Sequence, residues 1–152
     1  MQAIGFLSRR EYSRQELRTK LLVALRHREA EGLSPDAQPE PEREIDTLLD
    51  WLQAHGYLSD QRFVESRVHA RAARQGTARI RQELARHGLT LAPEQAAALR
   101  ETEFARAQAV WQRKYGTVAV DARGRSAQAR FLAGRGFSAE VVRRVVGGDD
   151  DF

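Results

Sequence analysis

The sequence predicts an all-α fold of tandem three-helix, helix-turn-helix-like repeats, about nine short helices in an elongated, curved array. Three observations carry this expectation. Apolar residues recur at i, i+3, i+4 and i+7 along most of the chain, the period of one helix face. Capping residues open these stretches and glycines close them. The stretch IRQELARHGL, residues 80–89, is echoed by QARFLAGRGF, residues 128–137.

Taken in order, Ser13-Arg14-Gln15-Glu16 is a capping box, because hydroxyl and carboxylate can each satisfy a free backbone N–H. The helix it opens carries Leu17, Leu21, Leu22 and Leu25. Ile45, Leu48, Leu49 and Leu52 form an apolar stripe that Gly56 can end in a left-handed conformation. Asp60 is the expected cap of a helix with Phe63, Val64 and Val68; Thr77 is the expected cap of the next, ended by Gly88. Pro93 suits the first turn of a short helix 93–100. Phe104, Ala107, Gln108 and Trp111 give a separate helix closed by Gly116. A helix over about 121–135 holds Phe131 and Leu132, and Ser138 caps a last one with Val141, Val142, Val145 and Val146. TVAV, 117–120, is strand-like but too short to build a sheet. EGLSPDAQPEPERE, 31–44, holds three of the four prolines among several acids and reads as an exposed loop.

A shift of 48 superposes Leu84 on Leu132, Gly88 on Gly136, Leu89 on Phe137 and Thr90 on Ser138. Phe63 matches Phe104 at a shift of 41, which places about seven extra residues around TVAVDAR. The expected organisation is a first repeat at 1–58 with the acidic insertion at 31–44, a second at 59–101, a third at 102–147 and an acidic tail at 148–152. Such small units bury their faces by stacking on one another.

Charge is segregated. Residues 1–60 carry 8 basic and 11 acidic side chains, residues 61–147 carry 17 and 7, and the tail GDDDF adds three acids. A basic body of this kind attracts polyanions, because each neutralised phosphate releases a condensed counterion. All but Lys20 and Lys114 of the chain's basic residues are Arg, whose planar fork bonds two phosphate oxygens. Arg106 and Arg113, Arg123 and Arg130, and Arg79 and Arg86 recur at seven-residue intervals away from apolar stripes, while Arg67, Arg71 and Arg74 form a tighter row. Rows like these form a candidate anion-binding surface, which also includes Lys114. Each row taken singly fits a solvated face with local pairs such as Glu83 with Arg79 or Arg86.

No catalytic constellation accompanies them. His27, His55, His69 and His87 are scattered, and His55 and His87 each precede a helix-ending glycine, where a cation complements the dipole. There is no phosphate-binding glycine loop, zinc spacing or nucleophile elbow, so no enzymatic activity, cofactor or metal is expected. Trp51, Tyr57, Trp111 and Tyr115 fit either base stacking or, at this helical spacing, core packing. The chain has no cysteine, no apolar run near the roughly 20 residues of a membrane span, and an N-terminus whose charges follow its apolar run. A cytoplasmic monomer is expected.

REYSRQELRTKL (10–21), GYLSDQRFVESRVHAR (56–71), the Gly76–Leu89 stretch with its RQEL, and ARFLAGRGFSAEVVRRVV (129–146) resemble, in this order, the RecX regulatory proteins. The resemblance implies tandem three-helix repeats and binding to the RecA recombinase and its filament on single-stranded DNA, with duplex DNA a further candidate. It implies inhibition of RecA ATPase, filament growth and strand exchange, and so a place in homologous recombination and SOS-linked repair. On the matched motifs the implied contact residues are Arg10, Arg14 and Lys20; Arg62, Arg67 and Arg71; Arg79, Arg81 and Arg86; and Arg130, Arg135, Arg143 and Arg144. Tyr12, Leu17, Tyr57, Phe63, Leu84, Phe131 and Phe137 are expected to hold the fold. Two departures stand out: the long insertion in the first repeat, and Gly134 where a basic residue is usual. The tail at 148–152 is expected either to be solvated or to fold onto the basic surface; in the second case its deletion tightens DNA binding at low salt.

The alternative is a helix-turn-helix transcriptional regulator reading one duplex site. It calls for a dimer and base-reading residues at the start of a recognition helix. The chain has no asparagine and no evident dimerisation stripe. A helical scaffold without a nucleic-acid role is the third reading.

Overall fold

A computed structural model describes residues 2–32 and 40–147. The acidic tail and residues 33–39 of the insertion lie outside the described residues. The described chain is all-α: α1 (Gln2–Leu7), α2 (Arg14–Ala30), α3 (Pro41–Ala54), α4 (Asp60–Arg71), α5 (Thr77–Ala85), α6 (Pro93–Lys114), α7 (Ala122–Gly134) and α8 (Ala139–Gly147). TVAV is irregular, with Val120 fully in solvent.

The described residues form eight helices where about nine were expected of the chain. The two helices expected at 93–100 and around Phe104–Gly116 are one, α6. Its middle, Arg100-Glu101-Thr102-Glu103, contains no breaker, and Thr102 Oγ1 bonds back to the carbonyls of Ala98 and Leu99 at 3.2 and 3.3 Å. In turn α1 was not expected; its Ala3 is buried, and Phe6 and Leu7 pack on the same core.

The chain divides into two compact units, 1–66 and 67–152, with the boundary inside α4. In the first unit, Ala3, Tyr12, Leu17, Leu21, Leu49, Leu52 and Leu58 form the core. Each buried Leu contributes roughly 1.5–3 kcal/mol of transfer free energy. The predicted cap at Ser13 is present: its Oγ accepts the Glu16 N–H at 3.1 Å. Asp60, expected to cap its own helix, instead accepts the Arg14 N–H at the start of α2 (2.8 Å), while Ser59 Oγ takes the Arg62 N–H of α4.

The second unit centres on Ala107, Val110, Trp111, Leu132, Phe137, Val142, Val145 and Val146. Gln128 is polar and buried beside this core: it accepts from the Trp111 indole N–H at 3.0 Å and donates to the Thr117 carbonyl at 3.1 Å, so its amide is satisfied. The 48-residue repeat is geometric. Leu84 and Leu132 are fully buried. The N–H groups of Leu89 and Phe137 bond to the carbonyls of Leu84 and Leu132, closing α5 and α7 alike around left-handed Gly88 and Gly136. The match ends at the next residue: Ser138 caps α8, whereas Thr90 caps nothing and α6 begins at Pro93 after Ala92.

Thr77 was expected to cap α5, but the cap position is Gly76 and α5 has no side-chain cap of its own. The Gly76 and Ala78 N–H groups instead bond to the carbonyls of Arg135 and Gly136 at 2.8 and 3.2 Å. The N-terminal end of α5 thus meets the C-terminal end of α7, an attractive alignment of helix dipoles. A Cβ on Gly76 would lie 2.2 Å from the Gly136 carbonyl oxygen, so only glycine fits.

Candidate nucleic-acid interface

The basic side chains read from the sequence fall into three groups. Some are part of the scaffold. Arg106 is half-buried and donates to the carbonyls of Ala72, Gln75 and Leu99, tying the α4–α5 turn to α6. Burial pushes its guanidinium below its ordinary pKa, against the pull of Glu103. Glu103 is itself buried and accepts the Thr77 N–H at 3.2 Å.

A second group is neutralised by carboxylates. Glu83 pairs with Arg67 and Arg71 of α4 at 3.4 and 3.1 Å, where pairs with Arg79 or Arg86 were expected. In the first unit Arg62 pairs with Glu11, Arg14 with Asp50, and Arg10 with Glu16. The carboxylate of Glu16 raises the Arg10 pKa, and Arg10 also lies over the Tyr12 ring at 3.7 Å. Lys20 sits above Phe6 and Tyr12.

The third group keeps its charge. Arg74, Arg81, Arg86, Arg123, Arg130 and Arg143 are exposed, with no side-chain bond or ion pair among the described residues. Others in this group are held by neutral partners. Arg79 donates to the Gly134 carbonyl at 2.9 Å, Arg113 to the Ala73 carbonyl at 3.0 Å, and Arg144 lies over Phe104 at 4.1 Å. Lys114 and Arg135 stand over the Phe131 ring at 4.0 and 5.1 Å.

The structure therefore brings together residues far apart in sequence. Arg74, Arg113, Lys114 and Arg135 converge with Val110 and Phe131 on one open groove of ≈ 290 Å³. A second groove, lined by Arg71, Gln75, Arg79, Gln82, Glu83 and Arg86, contains the carboxylate that the first lacks. Phe131 was expected only to hold the fold. It is half-buried, with Tyr115 edge-on at 5.7 Å, and it also positions two cations.

Of the aromatic residues considered for stacking, Trp111 is core. Trp51 and Tyr57 are exposed at 47% and 50% and stack on each other, with His55 stacked on Trp51. Tyr57 thus does not hold the fold as expected: Leu58, the next residue, takes the buried position. Among the described residues no cluster of three or more His, Asp or Glu side chains could hold a metal ion, and no helix is long and apolar enough to cross a membrane.

Comparison with known proteins bears on this basic helical scaffold. Residues 59–90 match the family model of the RecX second three-helix domain, and residues 101–146 that of the third. The similarity extends across the chain: it is 45% identical over 152 residues to the regulatory protein RecX of Ralstonia pickettii, covering 98% of this chain and 86% of that protein. The chain belongs to the RecX family. More distant RecX proteins align as fully, that of Pseudomonas fluorescens at 42% identity (97% of this chain, 89% of the relative) and that of Chromobacterium violaceum at 36% (99% and 91%). Most of the N-terminal third, which lies outside both family models, falls within these alignments.

Proposed function

We propose that this RecX-family chain is a non-enzymatic regulator that binds the RecA recombinase and its filament on single-stranded DNA, inhibiting ATP hydrolysis, filament growth and strand exchange. Family membership supports the regulatory role. The observation that carries the binding mode is the unneutralised set Arg74, Arg81, Arg86, Arg123, Arg130 and Arg143 on a rigid helical frame. Unpaired guanidinium groups are the form in which Arg binds phosphate or an acidic protein surface. Arg67, Arg71 and Arg106 act within the fold on this reading, and the contact surface is narrower than the full set of cations. The protein acts as a monomer in the cytoplasm.

The test is RecA ATP hydrolysis on single-stranded DNA, with this protein titrated from far below equimolar. A fall at low ratios is expected, since a filament regulator acts on many protomers at once. No effect up to equimolar, together with tight binding to one duplex sequence, would replace this reading with a transcriptional regulator.

A further inference from the structure

We propose that the groove between the α4–α5 turn, α6 and the end of α7 is a seat for consecutive phosphates of a single polynucleotide strand. This rests on the reading of the chain as a DNA-filament binder and deepens it to one site. Three observations point there. First, Arg74, Arg113, Lys114 and Arg135 line the groove, and no carboxylate does among the described residues. Second, the groups that orient these cations are neutral: a backbone carbonyl for Arg113 and the Phe131 ring for Lys114 and Arg135. Their charge is therefore positioned without being cancelled, unlike that of Arg67 and Arg71, which Glu83 compensates. Third, Arg74 has no side-chain partner among the described residues and is available to close on an anion.

The ligand chemistry follows. A dense cationic groove without an acid selects a polyanion, and guanidinium forks suit phosphate oxygens. Lys114 and Arg135 both stand over the Phe131 ring, so the ring serves the phosphates through its cations rather than stacking a base. Sequence-independent binding is expected, with the strong salt dependence of counterion release.

The experiment measures filter binding of the full chain to a labelled oligothymidylate from low to high salt. Wild type is compared with Arg74→Gln, Arg135→Gln and the double variant, each with circular dichroism confirming the fold. Removing two phosphate contacts lowers the slope of log K against log salt by about 1.4, from about 0.7 per contact on a single strand. Arg74→Gln alone, which breaks no bond among the described residues, gives about half of that. An unchanged slope in the folded double variant overturns the proposal. Direct binding of tripolyphosphate at matched ionic strength is the second arm: an affinity equal to or above that of the oligonucleotide overturns the strand as occupant and gives the groove to a free polyphosphate, and a much lower affinity supports the strand. The two readings separate cleanly. If wild type inhibits RecA and the double variant keeps its slope, the groove assignment alone fails. If the slope falls as stated and wild type leaves RecA untouched, the proposed function alone fails.

Discussion

Helices α2 and α5 begin in the same way by pattern and in opposite ways by chemistry. Each has its first buried residue four positions after the cap, Leu17 after Ser13 and Ile80 after Gly76, and its second after four more, Leu21 and Leu84. At α2 the cap is a hydroxyl in the helix's own sequence, assisted by Asp60. At α5 the cap residue has no side chain at all. The free N–H groups go to Glu103 of α6 and to the Arg135 and Gly136 carbonyls just past α7. A locally capped helix can begin to form before its neighbours; a helix capped from a distance is completed only when the rest of the unit is in place. The first arrangement is robust, whereas the second makes the start of α5 depend on α6 and on the turn after α7.

The largest expected effect breaks the distant cap. Gly76→Ala drives a Cβ into backbone that cannot step aside, and Gly136→Ala adds a left-handed φ of 92° to a Cβ 2.4 Å from that of Arg79. Each is expected to cost about 3 kcal/mol or more, read as a lower urea midpoint for the second unit. Gly134→Ala, two residues away with open space around it, is the control and should stabilise by up to about 1 kcal/mol. Equal losses at 134 and 136 would show that the backbone joint is not the cause.

Glu103→Ala comes next. It strands the Thr77 N–H and removes the acid whose charge favours ionised Arg106, for an expected loss of about 1–3 kcal/mol. On the local side, Ser13→Ala should cost about 1 kcal/mol by thermal melting, because Asp60 still holds the Arg14 N–H. If Ser13→Ala proves the more damaging of the two, the contrast between local and distant capping is wrong.

The smallest effect is electrostatic. The Arg18 guanidinium holds the Asp46 carboxyl below its ordinary range. A lowered acid stabilises the fold above the ordinary value, about 3.9, and that contribution is lost as pH falls through the lower folded value. Both partners are solvated, so screening leaves the effect slight. Asp46→Asn should slightly flatten the acid limb of the stability curve and leave neutral pH almost unchanged; a variant that melts markedly lower at pH 7 contradicts this.

The fold class was legible because its determinants are local. Helix periodicity and the Leu-x-x-x-Gly endings at Leu84 and Leu132 need only a few neighbouring residues. Continuity across Arg100–Glu103 was lost to an expectation of regular repeats, although nothing in those residues breaks a helix. The cap at Thr77 was misread because Glu103 supplies it from 26 residues away. The candidate surface was legible as a set of cations and not as a site. Whether an arginine is neutralised depends on carboxylates such as Glu83 and Glu11 meeting it across the fold. Arg74, Arg113 and Arg135 likewise converge only after α6 and α7 pack. A further signal in the sequence is the spacing shared by Ser13-Leu17-Leu21 and Gly76-Ile80-Leu84, a shift of 63 that aligns the starts of α2 and α5.

The two tryptophans fall one to each compact unit, in opposite environments. Trp51 is open to water and stacked on the His55 ring, so its emission is expected toward the red. Trp111 is buried, with its indole N–H on Gln128, and one helical turn along α6 brings Lys114 to the cationic groove. The chain therefore carries its own pair of optical probes: blue emission reports on the unit with the groove, and red emission on the unit without it, with no label attached.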